Sequence, residues 1–340
     1  MAQISLGKTG LYVEQNGFGA LPIQRVSKQD AVYLLRKAYD GGMNFYDTAR
    51  SYSDSEEKLG EAFSGMWDKI VIATKIPAVD VPRFWDDLHT SLRMLRRDHI
   101  DIFQFHNPPI SPRPGDDGGL YDAMLEAKQQ GKIRFIGMTN HRLDVAQEAI
   151  NSGLYDTLQF PLSYLNTDKE LELVQACKEK EIGFIAMKAL SGGLITDSAA
   201  ACAWLSRFGH VIPIWGIQRE RELDEFLSYI PTPPALSNEM MDRIEVDRQE
   251  LQGNFCRGCG YCMPCPQGIS INMCARASLL LRRAPSDIIL SEDGQQMMKK
   301  IEDCTECGQC SEKCPYGLDV PDLLKKNYED VKEVLAGKPI

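Results

Sequence analysis

The stretch running from KIVIATK (69–75) through IDIFQFH (100–106) to IRFIGMT (133–139) places three β-rich runs at similar intervals, with helical patterns between them. Working outward, the same kind of run recurs as NGFGAL (16–21) and MNFYD (43–47) upstream. Downstream it recurs as TLQFPL (157–162), GFIAMK (183–188) and VIPIWG (211–216). Between the runs lie amphipathic stretches such as SKQDAVYLLRKAYDGG and DKELELVQACKEK, the latter with an acidic start and a basic end that suit the helix dipole. Several end in glycine, as at Gly41 and Gly131, where a C-terminal cap is expected. Eight strands alternating with helices over about 215 residues predict an α/β chain folded as a (β/α)8 TIM barrel. A doubly wound open sheet fits the same alternation, but the G-x-G-x-x-G expected after its first strand is absent.

Beyond the barrel, PTPPALS (231–237) reads as a linker, giving domains 1–235 and 236–340. The second domain carries two cysteine runs. Cys256, Cys259, Cys262 and Cys265 are followed by Pro266, and Cys304, Cys307, Cys310 and Cys314 by Pro315. The second run has the bacterial ferredoxin spacing C-x2-C-x2-C-x3-C-P, and the first is one residue shorter before its last cysteine. Structural zinc is the alternative, but zinc sites use two separated pairs, whereas each run supplies three closely spaced thiolates and a Cys-Pro. MMDRIEVDRQEL, MCARASLLLRR, QQMMKKIEDC and DVPDLLKKNYEDVKEVLAG read as helices, the last expected to fold back on the barrel. The expectation is a smaller, largely helical, ferredoxin-like domain with two 4Fe-4S clusters.

Composition bounds the rest. The chain has 340 residues, 43% hydrophobic and 25% charged, as a soluble globular protein with large cores would. Its net charge of −10 and lack of a basic tract argue against nucleic acid as a partner. No apolar run approaches the roughly 18 residues of a membrane span. MAQISLGKTG lacks the apolar core of a secretion signal, so a cytoplasmic location is expected. Eight of the eleven cysteines lie in the two runs, while Cys177, Cys202 and Cys274 sit in apolar patterns and read as core.

In such a barrel the chemistry sits where the strands end. Those ends carry Asp47, Lys75, His106, Asn140, Gln159 and Lys188. Singly, each has an ordinary reading as a cap, a solvated charge or a core histidine. Together at one rim they resemble the aldo-keto reductase superfamily. NFYDTARSYSDSEEKLGEAF (44–63) with Asp47 and Tyr52, VIATK ending at Lys75, and DIFQFHN with His106 supply counterparts for that family's catalytic tetrad. IGMTN, with Thr139 and Asn140, and LQFPLSYLN, with Gln159, resemble its nicotinamide-holding segments.

The resemblance implies a barrel that interconverts a carbonyl and an alcohol with NADP or NAD. Tyr52 would act as acid/base, Lys75 would lower its pKa, Asp47 would hold Lys75, and His106 would orient the carbonyl. Met187 stands where the family stacks an aromatic ring on the nicotinamide, and Lys188 either meets the pyrophosphate or is a rim charge. GIQRERELDEF (216–226) resembles the adenosine-binding loop and helix, with Gly216, Gln218 and Arg219 as cofactor contacts. Glu222 replaces its phosphate-gripping arginine, and Arg219 or Arg221 offers compensation, which leaves the choice of nucleotide open. Arg25, Arg50, Phe84, Trp85 and His141 follow strand ends as candidate substrate contacts.

Two-cluster ferredoxins, which the second domain resembles, exchange fourth ligands between runs. That implies one cluster on Cys256, Cys259, Cys262 and Cys314, and another on Cys304, Cys307, Cys310 and Cys265. The expected partners are a small-molecule carbonyl or alcohol and a redox partner protein that exchanges electrons with the clusters. Purely structural clusters, or a non-catalytic electron-transfer or assembly subunit, are the alternative readings.

Overall fold

The computed structural model describes residues 3–251, 255–283 and 286–339. A hairpin of β1 (Gln3–Ser5) and β2 (Tyr12–Glu14) opens the chain. Eight strands follow: β3 (Gly17–Gly19), β4 (Phe45–Asp47), β5 (Val71–Ile76), β6 (Ile100–His106), β7 (Ile133–Thr139), β8 (Thr157–Pro161), β9 (Gly183–Met187) and β10 (Val211–Gly216). Neighbours pair in parallel around the ring, and β10 returns to β3 through Ile214↔Gly17 and Trp215↔Phe18, so the sheet is a closed barrel. Closure excludes the doubly wound alternative. β5 is buried at all six positions, as expected of a parallel strand covered on both faces.

Helices α1 (Lys28–Asp40), α2 (Ser55–Ala62), α3 (Val81–Met94), α4 (Leu120–Gln129), α5 (Leu143–Ser152), α6 (Asp168–Glu179), α7 (Ser198–Leu205) and α8 (Glu220–Ser228) alternate with the strands. Ser27 caps α1 by accepting from the Asp30 N–H at 3.1 Å. The expected capping glycine differs by one residue. Gly41 is still right-handed at φ −79°, and the chain turns at Gly42, φ +107°. Gly131 does take the left-handed conformation, at φ +70°.

The hairpin is absent from the sequence reading because its strands are only three residues long. Its Ile4, Leu6, Leu11 and Val13 join one core with Phe45, Val71, Ile102 and Ile212, at or near the starts of the barrel strands. The end where strands begin is thereby plugged with apolar side chains, and the end where they finish is left for polar ones.

The chain divides into two compact units, Met1–Ala189 with Ala199–Asn238, and Leu190–Ser198 with Glu239–Ile340. The second unit contains α9 (Asn238–Glu250, from its second residue), α10 (Ile271–Cys274), α11 (Ala277–Arg283), α12 (Asp287–Leu290), α13 (Glu292–Lys299), α14 (Gln309–Glu312) and α15 (Val320–Leu335). Asp319 caps α15, accepting from the Asp322 N–H at 3.2 Å. The buried face of α15, with Val320, Leu324 and Val331 at helical spacing, belongs to the second unit's own core rather than to the barrel as expected. Among the described residues no helix is long and apolar enough to cross a membrane.

Candidate active site and metal centre

At the rim, β4 ends in Asp47, whose register partner on β5 is Ala73, and Lys75 stands two residues farther along β5, on the same face as Ala73. Lys75 Nζ donates to Asp47 Oδ1 at 2.7 Å and to the Thr48 carbonyl at 2.6 Å. Both side chains are buried, 1% and 3% exposed, so neither charge has water to fall back on. Burial pushes the Asp47 carboxyl pKa up and the Lys75 ammonium pKa down, each opposed by the other's charge. Asp47 Oδ2 has no hydrogen-bond partner among the described residues.

The turn after β4 brings Tyr52 over this pair, its ring centroid 5.1 Å from Lys75 Nζ. His106, at the end of β6, meets the Tyr52 ring edge to face at 6.0 Å, and its Nδ1 lies 3.4 Å from Ser51 Oγ. All four expected tetrad residues therefore come together. The expected electrostatics differ in one respect. The Tyr52 phenol is shifted up, by burial first and by the Asp47 charge second. The Lys75 charge is already balanced by the carboxylate it touches, so the phenol is offered a neutralised pair rather than a bare ammonium.

Burial, helped by the Lys75 ammonium, lowers His106 to about 3, and His141 is also pushed far down by burial and by Lys188, His106 and Arg142. Both imidazoles are neutral at pH 7. Their folded pKa values lie below the unfolded value of about 6.5. The stability they contribute is therefore complete above that pH and is lost as pH falls through it, because the unfolded chain takes up protons first. The double variant His106→Gln/His141→Gln should lose less Tm than wild type between pH 7 and pH 4.5, measured anaerobically on the full chain. Parallel pH profiles would contradict this assignment.

Several expected contacts are engaged within the protein. Asn140 Nδ2 donates to the Pro108 carbonyl at 2.9 Å, and its Oδ1 accepts from the His141 and Arg142 N–H groups at 2.9 and 2.8 Å. Thr139 Oγ1 accepts from the Asn107 N–H at 3.2 Å. Gln159 Nε2 donates to Asp47 Oδ1 at 3.3 Å, and its Oε1 accepts from Gln104 Nε2 at 3.0 Å. Gln104 is a support the sequence reading overlooked. Its signal was strand alternation, two residues before His106 on β6. Gly137 makes room for it, since a Cβ there would sit 2.8 Å from Gln104 Cγ.

Met187 closes β9 half-buried, and Lys188 turns the chain at φ +56°. Gly216 ends β10 exposed. The N–H groups of Gln218 and Arg219 donate to Glu222 Oε2 at 3.0 and 3.1 Å, so α8 carries its own carboxylate at its start. Of the substrate candidates, Arg50 pairs with buried Glu56, which also accepts from Thr74 Oγ1 at 2.7 Å. Phe84 is buried in α3 against Phe103, Trp85 stacks on His89, and Arg25 is exposed. Only His141 among the five sits buried beside Asn140 at the rim.

In the second unit the eight clustered cysteines surround two cavities. One is lined by Cys256, Cys259, Cys262 and Cys314, with Pro315 and Tyr316. The other is lined by Cys265, Cys304, Cys307 and Cys310, with Cys262 on its wall. The first cavity thus takes three cysteines from one run and Cys314 from the other, and the second takes three from one run with Cys265 and Cys262 from the other. Cys177, Cys202 and Cys274 are buried elsewhere, and burial lifts their thiols to about 12, 11 and 11.

Comparison with known proteins agrees with both halves. Residues 15–201 match the aldo/keto reductase family, and residues 255–319 match the 4Fe-4S dicluster domain. L-galactose dehydrogenase of Arabidopsis thaliana is 31% identical over 212 residues, 57% of this chain and 66% of that protein, just under two thirds of its length. The NADH-specific methylglyoxal reductase of Escherichia coli is 26% identical over 228 residues, 58% of this chain and 70% of that protein. An aldo-keto reductase from Klebsiella pneumoniae, solved in complex with NADPH, superposes with a TM-score of 0.62 at 21% identity, over 72% of this chain and 95% of its own. The closed barrel, the polar rim and a family match over residues 15–201 lead to one conclusion: the chain is an oxidoreductase belonging to the aldo/keto reductase family, joined to a 4Fe-4S dicluster domain.

Proposed function

We propose that the barrel interconverts a carbonyl and an alcohol with NAD(H) or NADP(H), while two 4Fe-4S clusters in the second unit exchange electrons with a partner protein. One observation carries the reading: a buried Asp47–Lys75 pair lies beneath Tyr52, with His106 against the same ring. When bound, the nicotinamide supplies or accepts a hydride, and each cluster supplies one-electron steps. The unpartnered Asp47 Oδ2 fits such a guest, being a buried acceptor left for a donor such as a ribose hydroxyl or a carboxamide N–H.

Tyr52 delivers the proton to the carbonyl oxygen. Neutral His106 donates a hydrogen bond to that oxygen and adds no positive charge of its own. Asp47 fixes Lys75, and Lys75 fixes the floor under the phenol. Thr139, Asn140 and Gln159 hold the carboxamide by exchanging the bonds they now make within the protein, and Met187 packs on the ring. Lys188, Gly216, Gln218 and Arg219 line the path of the remaining dinucleotide. In the second unit, Cys256, Cys259, Cys262 and Cys314 hold one cluster, and Cys265, Cys304, Cys307 and Cys310 the other. The named relatives are an L-galactose dehydrogenase and a methylglyoxal reductase, which supports a small oxygenated substrate here.

Glu222 bears on the nucleotide. Its carboxylate already accepts the free N–H groups at the start of α8, and a 2′-phosphate brought there meets like charge. Glu222→Gln is therefore expected to tighten NADPH relative to NADH by about five- to ten-fold, roughly 1–1.4 kcal/mol, read by fluorescence titration. An unchanged ratio would remove Glu222 from the nucleotide site. The whole reading is tested by giving cluster-loaded protein NADH or NADPH anaerobically, with and without a panel of aldehydes and ketones. Consumption of nucleotide that requires a carbonyl supports it, and a nucleotide that is neither bound nor consumed contradicts it.

A further inference from the structure

The two cysteine cavities differ in the charge packed against them. Arg276 follows α10 and is 8% exposed. Its Nη2 donates to the Gly192 carbonyl at 3.0 Å, and its Nε is buried with no hydrogen-bond partner among the described residues. Room for the guanidinium comes from Gly258, at φ +64°, where a Cβ would stand 2.3 Å from Nη1. Gly258 lies between Cys256 and Cys259, and its N–H donates to Cys256 Sγ at 3.3 Å. The buried cation is therefore packed on the loop that carries two cysteines of one cavity. In the same loop, the Arg257 guanidinium stacks on Phe255 at 3.6 Å and lies 5.6 Å from the ring of Tyr316, which lines that cavity.

The other cavity has no equivalent among the described residues. Lys300 and Lys325, on elements packed near its cysteine loops, are exposed and paired, with Asp303 at 2.6 Å and with Glu306 at 2.5 Å. Cys307 itself is exposed.

We propose that Arg276 makes the cluster held by Cys256, Cys259, Cys262 and Cys314 the higher-potential one. The first electron given to the domain then resides there, while the Cys265, Cys304, Cys307 and Cys310 cluster is the exposed port. This rests on the reading that both cavities hold 4Fe-4S clusters. Reduction adds one electron, and one negative charge, to a cluster. A cation buried in low dielectric, together with an N–H donated to a ligand sulfur, stabilises that added charge. Exposed ammonium groups already paired with carboxylates and screened by salt do little. The electron comes from a one-electron reductant, which is oxidised by one, and no proton need move.

The test is an anaerobic redox titration of the loaded full-length chain with dithionite and mediators, followed by electron paramagnetic resonance. Wild type should show two one-electron steps. Arg276→Met should lower the higher step and leave the lower one in place, while Arg276→Lys, which keeps the charge, should retain most of the gap. Cys307→Ala, made in otherwise wild-type protein, should alter the signal of the lower step only, which decides the order even if Arg276→Met fails to assemble. A higher step indifferent to Arg276→Met, or one that carries the Cys307→Ala change, would overturn the proposal. Iron analysis short of two clusters, or no signal on reduction, would instead overturn the cluster reading beneath it.

Discussion

Replacing Tyr52 by Phe is expected to lower kcat for carbonyl reduction by about 10²–10⁴-fold, the range for losing a positioned proton donor. Only one oxygen is removed. The ring keeps its edge-on contact with His106 at 6.0 Å and its place 5.1 Å from Lys75 Nζ, so folding and nucleotide affinity should stay close to wild type. The upward shift of the phenol also sets the sign of the pH dependence. Tyr52 holds its proton at neutral pH and past the ordinary tyrosine value of about 10. Reduction in wild type should therefore persist into alkaline solution and fall only where the phenol ionises, whereas the residual rate of Tyr52→Phe should lack that limb. Steady-state kinetics with 4-nitrobenzaldehyde as probe would read both effects. A variant retaining most of its kcat would mean that the proton comes from elsewhere.

The second large effect is on stability. Lys75→Met keeps the length of the side chain but strips the ammonium from a carboxylate that is 3% exposed. Breaking a buried pair from one side costs about 3–5 kcal/mol, because the surviving charge has neither partner nor water. For a barrel of this size that corresponds to a fall in Tm of roughly 6–20 °C. The Thr48 carbonyl loses its donor as well. Adding Asp47→Asn should restore much of the lost stability, since the stranded charge is removed, while activity stays low because the platform under Tyr52 is gone. Such non-additivity distinguishes a coupled pair from two independent residues. A Lys75→Met protein as stable as wild type would show that Asp47 is not held as a charge by Lys75.

The strands were legible because parallel barrel strands are buried on both faces and read as unbroken apolar runs. KIVIATK (69–75) emerges as β5, shifted to Val71–Ile76, and IDIFQFH (100–106) emerges as β6 to the residue. The rim was legible for a related reason, since polar side chains at the ends of such runs stand out against their own strands. The hairpin was not, because three-residue strands such as QIS and YVE carry too little periodicity. Leu190–Ser198 grouped with the second unit for reasons that lie in contacts, not in composition. The same holds for side chains whose role is set by a distant neighbour. Arg50 looked like a free rim cation until Glu56 was found beneath it, and Arg276 looked like one more helical arginine until Gly258 and Gly192 were found around it. The phenol's upward shift comes from its burial and from the Asp47 charge, and no spacing rule states either.

The central claim is that the barrel moves a hydride between nicotinamide and a carbonyl carbon at the Tyr52 site. The most direct measurement is mass spectrometry of the alcohol formed anaerobically from 4-nitrobenzaldehyde and reduced nucleotide carrying deuterium at C4 of the nicotinamide. The account predicts one deuterium on the product carbon, from one face of the ring only, with its formation nearly abolished in Tyr52→Phe. Alcohol formed without deuterium, or labelled alcohol formed equally fast by Tyr52→Phe, would contradict it.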